Sequence, residues 1–402
     1  MNCAKLTTPD VCIVGGGIVG LTLALLLSKH NIHILLIDKA ERTLSEASQS
    51  EHFSARVSAI SQASEQIFDN LGVWQTIHRK QAYKQMSVWD QHGFGRIQFD
   101  GRDRPNFSLG HIVENQVLTD ALLTKLQQRK NVEVLQGTSL VKAQFLNANS
   151  NKSQYQISLD NQQDILTDLL IGADGANSIV KKIKGFAEVF WDYEHTAIVA
   201  NLKTEHAHDA IARQAFTPSG PLAFLPLPDP HQCSIVWSQT PQRANRLLAL
   251  SPTEFCKVLL KDIDGQLGLC TLSSERYSFP LKMRYAKQWY QDSAVLVGDA
   301  AHTIHPLAGQ GANLGIADAE ALANSVADSI AKCGRVNDYR SMRKYERARK
   351  SQAIAVIASM ESFKRIFAGS NSFKKVARNV ALSTADKMPL LKQFFITSAS
   401  KA

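Results

Sequence analysis

The sequence lacks any apolar run of the roughly 18 to 20 residues that a membrane-spanning helix needs. No secretion signal precedes the first predicted strand, so we expect a cytoplasmic protein. Its six cysteines include no Cys-x-x-Cys pair, which predicts reduced thiols rather than disulfides or a metal site. A chain of 402 residues exceeds one ordinary core, so we expect two interleaved domains and a tail.

A glycine-rich motif follows the first predicted strand, residues 10–14. Gly15-x-Gly17-x-x-Gly20 leads into an apolar helical segment and then a second strand that ends at Asp38. In dinucleotide-binding units the first glycine allows a tight turn, the second lets backbone amides approach the pyrophosphate, and the third lets helix and strand pack closely. The position of Asp38 matches the acid that binds a ribose hydroxyl, which favours FAD or NAD over NADP.

Two more apolar strands end in glycine and aspartate. One runs into Asp174 and Gly175, and the other into Gly298-Asp299, with an alanine-rich helix predicted to start near Gly311. A carboxylate at a strand end, close-approach glycines and a helix N-terminus suit the ribityl chain and anionic edge of a large cofactor.

These three motifs together resemble those of the flavoprotein aromatic hydroxylases of the p-hydroxybenzoate hydroxylase type. The segment 302–318 resembles, more narrowly, the ubiquinone-biosynthesis hydroxylases of the UbiH, UbiF and VisC type. The subgroup that the chain resembles most is the VisC (UbiI) 2-polyprenylphenol hydroxylases, through segments 190–193, 208–214, 222–226 and 233–237.

The resemblance implies an α/β fold with a Rossmann-type FAD-binding domain, an interleaved antiparallel-sheet substrate domain and a C-terminal helical tail. Alternating apolar and polar residues in segments such as 85–90 and 233–238 also predict antiparallel strands. The predicted domains are residues 1–75, 105–182 and 281–335 for FAD, 76–104 and 183–280 for the substrate sheet, and 336–402 for a basic helical region.

FAD, with NAD(P)H as co-substrate, is the cofactor that the resemblance implies. The first motif would bind the ADP half, Asp299 the ribityl hydroxyls, and the start of the helix near Gly311 the negative charge of reduced flavin. Lys181 stands where many relatives carry arginine. The predicted cofactor contacts are Gly15, Gly17, Gly20, Asp38, Arg56, Gln116, Asp174, Gly175, Asp299, Gly309, Gly311, Ala312 and Asn313.

The implied reaction is hydroxylation of the aromatic ring of a polyprenylphenol in ubiquinone biosynthesis, with O2 activated as a flavin C4a-hydroperoxide. Three residues are the catalytic candidates: Pro306 beside the flavin, His305 touching flavin or substrate, and Tyr193 bonding the phenol. His302 and His305 have no further ligand at metal-site spacing, so no metal is expected.

Other functions stay open at this stage. One alternative is that the enzyme hydroxylates another position of the ring, or a soluble aromatic compound. A second alternative is that the protein is a structural flavoprotein subunit of the biosynthetic complex.

Positive charge is concentrated in residues 335–402, which hold 15 Lys and Arg against four Asp and Glu, whereas the whole chain carries only +9. A basic amphipathic helix predicts contact with an anionic membrane surface, here the inner face of the cytoplasmic membrane, or with other ubiquinone-biosynthesis proteins. The alternative is a helix that buries its apolar stripe on the body and leaves a solvated basic face. No nucleic-acid motif accompanies the charge, and homo-oligomerisation is left open.

Overall fold

The computed structural model describes residues 8–41, 50, 52–91, 93, 95–101, 108–148, 152–304 and 310–367. The strands among them are β1 (Val11–Val14), β2 (Ile34–Asp38), β3 (Val57–Ile60), β4 (Lys80–Tyr83), β5 (Gln85–Asp90), β6 (Arg96–Asp100), β7 (Gly110–Glu114), β8 (Val132–Gln136), β9 (Leu140–Ala148), β10 (Lys152–Leu159), β11 (Asp164–Thr167), β12 (Leu169–Gly172), β13 (Glu188–Thr204), β14 (Ile211–Thr217), β15 (Gly220–Pro226), β16 (Gln232–Gln239), β17 (Cys270–Leu272), β18 (Tyr277–Ala286), β19 (Tyr290–Gln291), β20 (Ala294–Leu296) and β21 (His302–Thr303). The helices are α1 (Ile18–Leu27), α2 (Gln62–Asn70), α3 (Asn115–Leu126), α4 (Ile179–Lys184), α5 (Pro241–Ala249), α6 (Pro252–Asp262), α7 (Gln310–Cys333) and α8 (Tyr339–Phe367).

A six-stranded sheet in the order β19-β20-β12-β1-β2-β8 forms the centre of the molecule. All its neighbouring strands are parallel except β19, which pairs antiparallel with β20. Strands β1, β2, β12 and β20 are buried along their whole length, which explains why each reads as a continuous apolar run. This sheet confirms the predicted Rossmann-type strands and the helix α1 that follows the first of them.

A nine-stranded sheet carries the alternating segments. Its order is β21-β18-β13-β16-β15-β14-β5-β6, with β17 added against β13. One face packs on α5 and α6 around Trp237 and Phe255. The other face meets the three-stranded sheet β3-β7-β4, where Leu225 and Leu227 contact Ala59 and Ile112. The predicted antiparallel pattern holds at every pairing of this sheet except β5 with β14, which is parallel.

The sheets cut across the predicted domain boundaries at two points. Strand β4, inside the segment 76–104, pairs with β7, and β18 continues the nine-stranded sheet to Ala286. The remaining strands β9, β10 and β11 form a separate three-stranded antiparallel sheet. The domain division itself stays a prediction.

The first half of α8 is docked on the protein body. Met342 and Tyr345 are fully buried, and the Tyr345 hydroxyl donates to the Leu296 carbonyl at 2.9 Å. Glu346 Oε1 accepts the Trp289 amide at 3.0 Å. For this part of the basic region the interpretation of a buried apolar stripe is therefore confirmed. Residues 368–402 lie outside the described residues.

Within the part of the chain that the structure describes, no helix combines the length and the apolar character needed to cross a bilayer.

We expect Tyr345→Phe to lower the free energy of unfolding by about 1 to 3 kcal/mol, because it leaves a buried carbonyl of β20 without its hydroxyl donor. The matched control is Tyr339→Phe on the same helix, since Tyr339 is 64% exposed. Its effect should stay within about 0.5 kcal/mol. Urea unfolding of the two variants and the parent checks this, and equal effects of both substitutions would contradict the docking of α8.

Candidate functional site

Four neighbouring parallel strands, β20, β12, β1 and β2, end at the same edge of the central sheet. Asp38 is the last residue of β2, and the turns that leave β20, β12 and β1 carry Asp299, Asp174 and Gly15 respectively. In open α/β sheets the crevice outside the carboxyl ends of the strands is where ligands bind. The structure thus brings the three sequence motifs, which are far apart in the chain, to one place.

The glycines of the first motif have different physical constraints. Gly15 adopts a φ of +113°, and its amide donates to the Ile37 carbonyl at 2.8 Å. A Cβ on Gly20 would lie 1.9 Å from the Gly15 carbonyl oxygen, so α1 can approach the turn only with glycine there. A Cβ on Gly17, in contrast, would meet no atom within 4 Å. Gly17 therefore faces open space at the start of α1, as a pyrophosphate-binding turn requires.

Asp38 ends β2 beside this turn and is buried. Its Oδ1 accepts the Ala40 amide at 3.2 Å. A Cβ on Gly16 would lie 2.5 Å from Asp38 Oδ2, which places the carboxylate directly against the glycine turn. This is the position expected for a group that binds the ribose of a nucleotide.

The Asp174 carboxyl group has one occupied and one open oxygen. Its Oδ2 accepts the Ile179 amide at 2.5 Å, whereas the buried Oδ1 has no hydrogen-bond partner among the described residues. Burial raises the pKa of Asp174 above its ordinary value. Gly175 follows with a φ of +78° and open space at its Cβ position. A buried acceptor without a donor fits a ligand that brings a hydroxyl or amide group.

Two cations hold the loop after Gly175. Arg284 Nη1 donates to the Ala176 carbonyl and to Asn177 Oδ1, each at 3.0 Å. Lys181 Nζ donates to the same Ala176 carbonyl at 3.2 Å and pairs with Glu188 at 2.6 Å. Lys181, which stands where relatives carry arginine, is thus engaged within the protein.

Asp299 is exposed at the strand end, but protein surrounds its carboxyl group closely enough that desolvation raises its pKa. Interactions of Asp299 with His302 and with the Arg56 charge oppose this shift, and the charge of Asp318 adds to it. The Arg56 guanidinium lies 5.2 Å from the centre of the Phe279 ring on β18. Arg56 is therefore placed between the cofactor side of the site and the nine-stranded sheet.

Asp318, which lies on α7 and is fully buried, anchors the turn that carries Asp299. Its Oδ2 accepts the Gly298 amide at 3.2 Å and pairs with His302 Nε2 at 2.5 Å. Its Oδ1 accepts Arg349 Nε at 2.5 Å. The sequence marked Asp318 only as the last position of the segment that resembles the ubiquinone-biosynthesis hydroxylases and gave it no role. It gave none to Arg349, because a basic residue within a basic run shows no sign of burial.

A second ion pair missed from the sequence holds the segment that bears Arg56. Glu114, buried at the end of β7, accepts the Ser54 amide at 2.5 Å and pairs with Arg79 Nε at 2.7 Å. The Arg79 guanidinium also lies 4.3 Å from the centre of the Phe53 ring. Burial raises the pKa of Glu114, and the Ser54 amide and the Arg79 charge lower it.

The helix α7 begins at Gln310, so Gly311, Ala312 and Asn313 lie in its first turn, as predicted. A Cβ on Gly311 would meet no atom within 4 Å. The Asn313 side chain is fully engaged: its Oδ1 accepts the Ser61 amide at 2.9 Å, and its Nδ2 donates to the Ala59 carbonyl at 2.7 Å. The Asn313 side chain therefore ties the start of α7 to the segment 59–61.

The other predicted site residues that the structure describes do not lie at the ends of the central strands. Gln116, in the first turn of α3, donates its side-chain amide to Asp120 at 2.9 Å. Tyr193 is buried with Ala197 and Leu281 on the nine-stranded sheet. His305, Pro306 and Gly309 lie outside the described residues.

These features fit a dinucleotide cofactor: open space beside Gly17, a carboxylate at the ribose position, an unpaired acceptor at Asp174 and an exposed carboxylate at Asp299.

The comparisons with known proteins agree with this fit. A family model described as FAD binding domain matches residues 8–359. The mitochondrial ubiquinone biosynthesis monooxygenase COQ6 of Drosophila melanogaster is 32% identical over 431 residues, which cover 97% of this chain and 89% of the relative. The 3-demethoxyubiquinol 3-hydroxylase of Escherichia coli K12 is 32% identical over 386 residues, which cover 96% of both proteins.

Solved structures share the fold. The p-nitrophenol 4-monooxygenase PnpA of Pseudomonas putida DLL-E4 superimposes with a TM-score of 0.79 at 16% identity and covers 98% of both chains. Aklavinone-11 hydroxylase, solved with FAD and aklavinone, superimposes with a TM-score of 0.68 at 18% identity and covers 89% of this chain and 68% of its own. The predicted fold class is confirmed.

We expect Gly17→Ala and Gly20→Ala to separate cofactor binding from folding. Gly17→Ala should change the free energy of unfolding of the FAD-free protein by less than about 1 kcal/mol. It should weaken FAD binding at least about tenfold, because its methyl group enters the open space that the pyrophosphate needs. Gly20→Ala should destabilise the FAD-free protein by at least about 2 kcal/mol, because its Cβ collides with the Gly15 carbonyl. Chemical unfolding and flavin-fluorescence titration measure both effects, and a Gly17→Ala variant with parental FAD affinity would argue against this site.

We expect Asp299→Asn to stabilise the FAD-free protein at neutral pH. Since the folded state raises the pKa of Asp299, its ionisation costs stability above the ordinary carboxyl pKa of 3.8. The gain should therefore disappear as the pH falls towards that value, where both states are protonated. FAD affinity at pH 7.5 should fall about three- to tenfold, because a charge-assisted hydrogen bond is lost. Thermal unfolding across pH and FAD titration check the two effects. A stability gain of Asp299→Asn that grows as the pH falls would contradict a raised pKa of Asp299.

Proposed function

The chain belongs to the FAD-binding-domain family of flavin-dependent monooxygenases, and we propose that it hydroxylates the ring of a polyprenylated phenol during ubiquinone biosynthesis. The observation that carries the proposal is the nearly full-length match, at 32% identity, to a monooxygenase named for ubiquinone biosynthesis and to a 3-demethoxyubiquinol 3-hydroxylase. The convergence of the three motifs at one sheet edge supports it, because the match includes the whole cofactor-binding frame.

FAD is the cofactor and NAD(P)H the co-substrate of this monooxygenase. When bound and reduced, the flavin supplies the activated oxygen that is transferred to the ring. In our assignment the amides of the Gly15–Gly20 turn bind the pyrophosphate and Asp38 binds the adenosine ribose. Asp299 binds the ribityl hydroxyls, and the amides at Gly311 to Asn313 favour negative charge on the reduced ring.

Arg56 and Gln116 are both proposed cofactor contacts, but the structure supports Arg56 more strongly than Gln116. Arg56 is exposed, influences Asp299 through its charge and reaches across to Phe279, so it is placed to contact the cofactor. Gln116 bonds within its own helix, to Asp120, and would have to change partner to contact a phosphate. Asp174 offers its unpaired Oδ1 to the cofactor.

The substrate is proposed to lie against the face of the nine-stranded sheet that is turned towards Arg56. Cross-strand pairing places Ala197 opposite both Phe279 and Ser238, so these three side chains share that face. The Phe279 side chain is 37% exposed, which leaves an aromatic surface for an apolar ring. Tyr193, buried beside Ala197, is the proposed phenol contact. His305 and Pro306 complete the proposed catalytic set, and their inclusion rests on the sequence alone.

A second candidate reaction has a specific observation behind it. The Escherichia coli relative is named a 3-demethoxyubiquinol 3-hydroxylase, so hydroxylation at another position of the quinol ring is the main competitor. A structural flavoprotein subunit is less well supported, because Gly15, Gly175 and Gly298 all adopt the positive φ that the turns of the three motifs need.

The proposal includes a location at a membrane surface, because a polyprenyl chain resides in the bilayer. Of the 15 Lys and Arg of residues 335–402, all but one would attract anionic lipid or other proteins of the pathway. Arg349 does not take part, since it is buried.

We expect the purified protein to be yellow, with one FAD per chain that NAD(P)H reduces under anaerobic conditions. Flavin that stays oxidised would favour the structural-subunit alternative.

Deletion of the gene should make a polyprenylphenol precursor accumulate aerobically, as identified by mass spectrometry. Complementation with the parent should restore ubiquinone, whereas Gly17→Ala should restore it less at equal protein level. Accumulation of a demethoxyquinol would favour the second candidate, and an unchanged quinone profile would remove the pathway assignment.

A further inference from the structure

The turn that presents Asp299 is fixed on both sides by one carboxylate. Gly298, with a φ of +61°, precedes Asp299 and donates its amide to Asp318 Oδ2. His302, three residues after Asp299, pairs with the same oxygen through Nε2. The Trp289 ring packs on His302 with 5.0 Å between ring centres, which limits how that imidazole can turn. The direction in which Asp299 points therefore depends on where Asp318 lies.

Asp318 is itself held by a residue from another helix. Arg349, on α8, donates from Nε to Asp318 Oδ1 at 2.5 Å and from Nη2 to the Leu314 carbonyl at 3.1 Å. Its Nη1 donates to Gln352. Asp318 is fully buried and Arg349 is 6% exposed, so little solvent screens the pair. One guanidinium on α8 thus binds two acceptors that lie one turn apart on α7, the Leu314 carbonyl and the Asp318 carboxylate. Asp318 in turn links α7 to the Gly298–Asp299 turn.

These two connected elements are the ones assigned to the flavin half of the cofactor. A planar guanidinium can donate to Asp318 and Leu314 at once because its donors are fixed in a fork. Lysine would retain the charge but offers a single ammonium for acceptors that lie in two directions.

We propose that Arg349 is a positioning residue for FAD: bound to the Leu314 carbonyl of α7, it fixes the direction of the Asp318 carboxylate and thereby the Gly298–Asp299 turn relative to the start of α7. This inference rests on the FAD site proposed above. It adds that a residue of the basic C-terminal region, with no contact of its own to the cofactor, controls how tightly and in what geometry the flavin binds.

The test compares Arg349→Met and Arg349→Lys with the control Arg347→Met, since Arg347 is exposed on the same helix. The first measurement is amide hydrogen exchange in FAD-free protein, which needs no activity. Arg349→Met should accelerate exchange in residues 298–303 at least tenfold while residues 11–14 of β1 keep parental rates. A purely structural role would accelerate both segments equally, and that result would overturn the proposal.

The second measurement is FAD affinity, determined below the unfolding temperature of every variant. Arg349→Met should weaken FAD affinity at least tenfold. The affinity of Arg349→Lys should lie between those of Arg349→Met and the parent, and that of Arg347→Met should stay within twofold of the parent. The visible circular dichroism of bound flavin at saturation should change in Arg349→Met. Parental affinity and spectrum in a folded Arg349→Met protein would refute the positioning role. Failure of the parent itself to bind FAD would instead refute the proposed function.

A double variant covers the case in which Arg349→Met does not fold, because a lone buried carboxylate is strongly destabilising. Asp318→Asn combined with Arg349→Met removes both charges and should restore folding. Exchange in residues 298–303 should still be faster and FAD affinity lower than in the parent, since the amide side chain at position 318 is no longer held from α8. Parental values in this double variant would also overturn the proposal.

Discussion

Parallel pairing of β20, β12, β1 and β2 is the constraint on which the rest of the site depends. Parallel strands present their carboxyl ends at one edge, so Gly15, Asp38, Asp174 and Asp299 meet there although up to 284 residues separate them in the chain. The backbone at this edge leaves open space where Gly17 lacks a side chain, and carboxylates stand on both sides of it. A large cofactor with phosphates and many hydroxyl groups is the ligand that such an edge can hold.

Much of this frame is predictable because its signals are local. The turn at Gly15, the close contact at Gly20 and the acid that ends β2 are all encoded within one strand–helix–strand unit. The alternation in β16 likewise predicts a strand of an antiparallel sheet, and in the structure its apolar residues pack on α5 and α6. The parallel pairing of β5 with β14 was not predictable from alternation, because side chains alternate in the same way in both kinds of pairing.

Contacts between distant segments are what the sequence did not reveal. The Asn313 side chain bonds to Ser61 and Ala59, more than 250 residues away, so its identity suggested a cofactor contact rather than a structural bond. Arg349 lies in a basic run typical of a solvated surface, and its burial follows only from the docking of α8 beside α7. The basic C-terminal region therefore divides into a part that supports the cofactor site and exposed positions, such as Arg347, that remain available to a membrane or partner.

The most direct test of the account is hydrogen exchange of the FAD-free protein, measured with and without one equivalent of FAD. If a single FAD is held by all three turns, added cofactor slows exchange together in residues 15–20, 174–178 and 298–303, with one common saturation point. Protection confined to one of these segments, or saturating at different FAD concentrations, would contradict a shared site.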